Sequence, residues 1–190
     1  ALPVAVAAQG GNRPAPRPAT PAVPVATGLA DSTFTGLSYR NIGPANMSGR
    51  MSDVEGVPGD PSTVYISAAS GGVWKTTNAG MTWTPLFDKQ PVQSIGDMAL
   101  DPTNPDVIYV GSGEANVRNS VSYGNGVYKS LDGGKTWQNM GLKDSHHIGR
   151  ILIHPTNPNV VYVAAAGHLW GPNEERGVFK TTDGGKTWTK

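Results

Sequence analysis

One short phrase is written three times in this chain, and that repetition constrains the fold more than any other feature. "GVWKTTNAGMTW" begins at Gly72, "GVYKSLDGGKTW" at Gly126 and "GVFKTTDGGKTW" at Gly177. Trp83 and Trp137 stand 54 residues apart, and Trp137 and Trp188 stand 51 apart. A second phrase precedes each copy: "TVYISAAS", "DVIYVGSG" and "NVVYVAAAG", alternating runs rich in β-branched and aromatic residues. Two of these follow the turns "DPTNPD" at Asp101 and "HPTNPN" at His154, with "GDPST" at Gly59 as a shortened first copy. Asx–Pro pairs of this kind nucleate tight turns, because proline fixes φ and the Asx oxygen bonds the backbone. An inner run ("GRMSDVEGV", "GDMALD", "GRILIH") opens each unit. Four short antiparallel strands at a period near 50 describe a β-propeller blade. The reading is an all-β chain: a partial, open propeller of about three four-stranded blades, at about 43–88, 91–142 and 145–190, within a domain 33–190.

Residues 1–32 differ. They hold six prolines and many alanines, with Arg13, Arg17 and Asp31 as their charged residues. Such a segment buries too little apolar surface to offset its ordering entropy, so an extended, polyproline-like arm is expected. Its opening "ALPVAVAAQGG" resembles the end of a secretory signal, which predicts an exported, periplasmic or extracellular protein. The 25 glycines and 16 prolines suit a chain of short strands and many turns. A net charge of +1 gives no basic footprint for nucleic acid. No 18-residue apolar run is present, so no transmembrane segment is expected. The lack of cysteine removes disulfides, thiolate nucleophiles and Cys-ligated metal sites.

Aligned on one another, the three copies read Thr76-x-Asn78-x-Gly80-x-Thr82-Trp83, Ser130-x-Asp132-x-Gly134-x-Thr136-Trp137 and Thr181-x-Asp183-x-Gly185-x-Thr187-Trp188. This motif resembles the Asp-box, or BNR repeat, of sialidases, sortilin-type domains, xyloglucanases and photosystem II assembly factors. The surrounding wording is most similar to large exported bacterial propellers of the glycosyl hydrolase kind. Internal comparison assigns the motif a structural role. Asn78 stands where the later copies have Asp, and Asn keeps an acceptor oxygen but cannot serve as a general base. The hydroxyl and carboxylate are expected to bond the turn's N–H groups, and the Trp to bury its ring beneath it.

Other candidates weaken under the same comparison. Asp101 is matched by His154 in its turn, which argues against calcium there. His146 and His147 lie between blades with no third ligand near them in sequence, so a zinc site is not expected. No catalytic, cofactor-binding or metal-binding residue is assigned.

Variable chemistry is expected in two long loops after the second strands, Gly113–Gly126 and Gly167–Gly177. They and the inner strands supply a candidate partner or ligand surface: Arg50, Glu114, Arg118, Tyr123, Arg150, His168, Trp170 and Arg176. Arg50, Asp97 and Arg150 are taken to occupy one place in three inner strands. Resemblance to xyloglucanases implies a catalytic Asp just before the Gly-Gly of the first blade. Aligned on Gly71-Gly72, that position is Ala69. A sialidase-like site would need an arginine cluster with a Tyr/Glu pair, and the segment "YRNIGP" at Tyr39 matches the sialidase pattern only loosely.

The resulting expectation is an exported, non-catalytic accessory subunit. It would dock through its arm and open blades onto protein subunits of a larger assembly at the periplasmic face of a membrane complex. The resemblance to photosystem assembly factors makes a photosynthetic reaction centre one concrete version. The alternative is a fragment of a carbohydrate-active glycoside hydrolase, sialidase- or xyloglucanase-like.

Overall fold

The computed structural model describes residues 50–117 and 121–190. The expected arm at 1–32, the "YRNIGP" segment and Arg118 lie outside the described residues. Those described are built from strands, turns and loops. The first blade contains β1 (Met51–Val57), β2 (Asp60–Ala68), β3 (Gly72–Thr76) and β4 (Thr84–Pro85). The second contains β5 (Ile95–Asp101), β6 (Asn104–Ser112), β7 (Val127–Ser130) and β8 (Gln138–Asn139). The third contains β9 (Ile148–His154), β10 (Asn157–Ala165) and β11 (Gly177–Thr181). Each sheet is an antiparallel meander in chain order. The described residues therefore form a partial β-propeller of three blades. The third differs from the expected four strands: its last strand is a single bridge, Lys180 to Thr189, exchanging two hydrogen bonds of 2.7 and 2.8 Å.

Register explains why the second phrase recurs. Tyr65, Tyr109 and Tyr162 occupy one position in the three second strands, each opposite a lysine of the third strand. Lys75, Lys129 and Lys180 place their ammonium groups 4.9, 4.9 and 5.4 Å from the respective ring centroids. A cation over an aromatic face is favourable, and more so where water is excluded. Tyr65 and Tyr109 are fully buried because the next blade covers that face. The Tyr109 hydroxyl and Lys129 Nζ both donate to the Gly184 carbonyl of the third blade, at 3.0 Å.

Blade stacking creates two cores. Tyr65, Val73, Phe87, Met98, Ile108 and Tyr128 fill the space between the first and second blades. Tyr109, Val127, Ile148, Ile151, Val163 and Phe179 fill that between the second and third. The middle blade is thus covered on both faces, which is why β5 reads as a nearly continuous buried run. Each such aliphatic or aromatic side chain contributes roughly 1.5–3 kcal/mol by leaving water. On the third blade, the face equivalent to the Tyr65 and Tyr109 faces leaves Leu152, Tyr162 and Val178 exposed.

Candidate functional site at the loop end of the blades

Meander topology gives the blades two unlike ends. The turns between first and second strands share one end with the Asp-box turns. Gly133 N–H reaches the Asp106 carbonyl there, and Gly184 N–H the Asn159 carbonyl, both at 2.9 Å. Loops between second and third strands share the other end with the blade-to-blade links. At that end Gly113 N–H reaches Ser94, Gly124 N–H reaches His146 and Ala166 N–H reaches His147, at 2.7–2.8 Å.

At the Asp-box end the three copies form the same knot. Thr76, Ser130 and Thr181 each accept from the N–H of the glycine four residues on, at 2.8–3.0 Å. Their hydroxyls donate to Oδ1 of Asn78, Asp132 and Asp183. That Oδ1 also accepts from the N–H of Thr82, Thr136 and Thr187, at 2.8–3.0 Å. Gly80, Gly134 and Gly185 sit at φ of 88–95°, where a side chain would be strained. One contact changes polarity between copies. Thr136 and Thr187 donate a hydroxyl proton to the second carboxylate oxygen at 2.6 Å, whereas Asn78 Nδ2 donates to the Thr82 hydroxyl at 2.8 Å. A rotating hydroxyl serves either partner. Hydrogen bonds from Thr136 first, then Ser130, hold the Asp132 carboxyl down at about 2. Bonds from Thr181 and Thr187 push Asp183 lower still.

The tryptophans do something other than lie beneath their own turns. Trp137 Nε1 donates to the Leu86 carbonyl at 2.9 Å and Trp188 Nε1 to the Met140 carbonyl at 2.8 Å, each on the preceding blade. Trp137 also meets Phe87 edge-on, with centroids 5.1 Å apart. Trp83 has no described blade before it and is 37% exposed. The expectation that the Trp buries its ring beneath its turn is corrected for Trp83.

Toward the inner strands, Arg50 and Arg150 do not share a place. Register sets Asp53 opposite Ser67, Asp97 opposite Gly111 and Arg150 opposite Ala164, so Asp53 is the true counterpart. Arg50 precedes β1, and an irregularity between Met51 and Asp53 misleads a spacing-based alignment. The aspartates form a repeating latch. Asp53 Oδ2 accepts from Met98 N–H at 3.3 Å, and Asp97 Oδ2 accepts from Ile151 N–H at 2.6 Å. The third blade has Arg150 there instead, reaching back to Asp97 Oδ1 at 3.4 Å. Burial raises the Asp97 carboxyl to about 6 against the opposing pull of the Ile151 N–H; Asp53 adds to the rise and Arg150 opposes it. Glu55 is raised as well, by burial and then by Asp53 and Asp97.

Glu114 was expected on the surface, yet it is 1% exposed. It accepts both guanidinium arms of Arg50 and holds Ser94 Oγ through its own N–H at 3.0 Å. A carboxylate buried this deeply requires such a partner. Arg176 is exposed, but its donors go to the Ala166 and His168 carbonyls, fastening its own loop. Arg150 remains half in solvent.

The other loop residues converge. Tyr123, His146 and His168 stack in series, with ring centroids 5.0 and 3.8 Å apart. Asp144 joins them: its Oδ1 lies 3.0 Å from His168 Nε2 and 3.8 Å from His146 Nε2. Asn173 Nδ2 donates to Asp144 Oδ2 at 2.9 Å, and Glu175 accepts the Asp144 N–H at 2.7 Å. Beside this cluster Val121, Tyr123, His147, Leu169 and Trp170 line an open cleft of about 260 Å³. Tyr123 is 66% and Trp170 87% exposed. His147 is buried instead, its Nδ1 without a hydrogen-bond partner and its ring biased toward the neutral form by burial. Sequence spacing sets His146 beside His147, whereas the structure brings His146 against His168 and Asp144. The third group comes from a loop 22 residues beyond His146, and only the lengthened "GHLWGPNEERG" insertion signalled it.

Asp-box knots on stacked antiparallel blades define this chain as a BNR/Asp-box repeat β-propeller. A BNR/Asp-box repeat model matches residues 179–190. The chain is similar to a xyloglucanase of Paenibacillus sp, 26% identical over 141 residues, covering 67% of this chain and 13% of the relative. It is also similar to the crystal structure of a Niastella koreensis GH74 enzyme, with TM-score 0.53 and 28% identity, covering 72% of this chain and 20% of that one. The structure of YCF48 bound to D1 peptide aligns with TM-score 0.51 at 14% identity, over 80% of this chain and 43% of that one, a likeness of fold alone. The chain spans 13–19% of the length of the xyloglucanases it matches. These relatives overturn the reading as a non-catalytic accessory subunit of a photosynthetic or other membrane complex and favour the glycoside hydrolase alternative. Among the described residues no helix is long and apolar enough to cross a membrane.

Proposed function

We propose that this chain is a three-blade section of an exported, glycoside hydrolase-type propeller that takes a xyloglucan-like polysaccharide across its loop end. The observation that carries this reading is the set of xyloglucanase relatives, aligned over 67–81% of the chain at 23–28% identity. Two features of the molecule support it. The exposed face of Leu152, Tyr162 and Val178 repeats a face that the next blade buries elsewhere, as suits a section of a longer ring. The loop end presents Tyr123 and Trp170, whose broad faces suit the C–H faces of sugars while their polar tips stay wet.

Ala69 limits the chemistry. Resemblance to xyloglucanases puts a catalytic carboxylate at this position, and here it is a buried methyl group. Glycoside hydrolysis needs two carboxyl groups flanking the scissile bond, so this position supplies neither an acid nor a base. Binding is the activity the section itself is expected to show. The test is isothermal titration of the purified chain with xyloglucan oligosaccharides, alongside an unrelated soluble polysaccharide. Saturable heat with xyloglucan alone supports the reading; heat equal for both, or none, contradicts it.

A further inference from the structure

We propose that Asp144, His146 and His168 form a binding site for one divalent transition-metal ion of the zinc type, at the loop end of the third blade. One ligand atom from each of the three residues lies within 4.8 Å of the others, and Asp144 Oδ1 faces Nε2 of both His146 and His168. Tetrahedral zinc with bonds of about 2.0–2.1 Å holds its ligand atoms about 3.3 Å apart. The two His–Asp separations, 3.0 and 3.8 Å, bracket that spacing. Two imidazoles and one carboxylate suit a first-row divalent ion, and three protein ligands leave a position open for water or a ligand hydroxyl.

Three further features belong to a built site. Asn173 holds the outer oxygen Oδ2 of Asp144, which leaves Oδ1 for the histidines. Carboxylate ligands are commonly oriented by such a partner. His146 stands at a φ of 56°, a conformation few residues other than glycine adopt. Non-glycine residues held there concentrate at functional positions. Finally, Gly113 fixes the backbone of His146. A Cβ on Gly113 would lie 1.7 Å from the His146 carbonyl, so only glycine permits the approach. The ion would tie the blade-two-to-three link, which carries Asp144 and His146, to the insertion that carries His168. It would thereby fix the wall of the cleft on which Tyr123 and Trp170 stand.

The site is independent of whether the cleft takes a polysaccharide, and its test reads metal alone. The purified chain, stripped with chelator and dialysed, is titrated with Zn²⁺ and with Co²⁺. The expected result is one ion per chain, with Co²⁺ showing the intensified visible bands of a low-coordinate N/O site. Asp144→Ala, His146→Ala and His168→Ala should each weaken binding tenfold or more, given that even outer partners cost about 10–100-fold. His154→Ala, exposed at the opposite end of β9, should bind as the parent does. Near-ultraviolet circular dichroism checks that each variant is folded. Should a variant unfold, the Co²⁺ spectrum of the parent protein decides. Absence of the bands, or a loss of less than tenfold in every folded triad variant, would overturn the site.

Discussion

Trp188 donates its indole N–H to the carbonyl of Met140, 2.8 Å away, so the third Asp box is fastened to the end of the second blade. Trp137 repeats this on Leu86, while Trp83 stands 37% exposed. Identical motif residues therefore carry unequal weight. Trp137→Ala removes an aromatic ring packed on Phe87 and strands a carbonyl, and should cost about 3 kcal/mol. Trp83→Ala should cost under about 1 kcal/mol. Urea unfolding of the two variants measures both, and equal losses would contradict the blade-to-blade role.

Asp132 offers a test through pH. Its carboxyl is held at about 2 in the folded chain, below the ordinary value of 3.8. A depressed carboxylate stabilises the fold above its unfolded pKa, and that contribution is lost as pH falls through the folded value. Asp132→Asn should therefore leave the melting temperature near neutral pH almost unchanged, since Asn78 already makes the knot in the first copy. Between about pH 4 and pH 2 the variant should lose less stability than the parent. Melting curves across that range suffice; a variant unfolded at pH 7 would refute the equivalence of Asn and Asp.

Asp97 has the opposite sign. Burial raises its carboxyl to about 6. Its contribution is fully present below the unfolded value near 3.8 and is lost as pH rises through about 6. Asp97→Asn keeps an acceptor for the Ile151 N–H and has no proton to lose. Its stability should fall less between about pH 4 and 6 than that of the parent, as melting curves across that range would show. Removal of the partner of Arg150 matters little, because that guanidinium is half in solvent.

Arg50 and Glu114 form the most deeply buried ion pair of the loop end among the described residues. Arg50→Ala would leave the Glu114 carboxylate buried without its partner. Such truncations cost about 3–5 kcal/mol, and partial exposure of Arg50 lowers the expectation to about 2–3 kcal/mol. Addition of Glu114→Gln should restore part of the loss. Chemical denaturation of the single and double variants reads this directly, and no recovery in the double variant would refute the pairing.

The repeat made the blades legible, because alternation, Asx–Pro turns and the Asp box are local signals recurring in register. Internal comparison also sets Asn78 in the place of Asp132 and Asp183. It failed where neighbours in space are distant in sequence. Arg50 was aligned with Arg150 because spacing alone cannot show an irregular register near Met51. Glu114 lies in a loop that reads as surface, and its partner Arg50 stands 64 residues earlier. Asp144 and His168, 24 residues apart, meet only because the blade-two-to-three link and the third-blade loop open on one end. The second-strand tyrosines and their lysines were present three times in the sequence, yet their contact depends on strand pairing that periodicity does not number.

The two ends of the blades differ in the work proposed for them: the Asp-box end fastens, and the loop end is proposed to bind. Native electrophoresis in gels containing xyloglucan compares them in one measurement, using the parent chain, the Asp132→Asn/Asp183→Asn variant and the Tyr123→Ala/Trp170→Ala variant. The parent and the Asp-box variant should be retarded equally. The aromatic variant should melt at the parent's temperature and bind about tenfold or more weakly, as the loss of two stacking rings implies. Retardation lost in the Asp-box variant while it remains folded, and kept in the aromatic variant, would contradict the assignment.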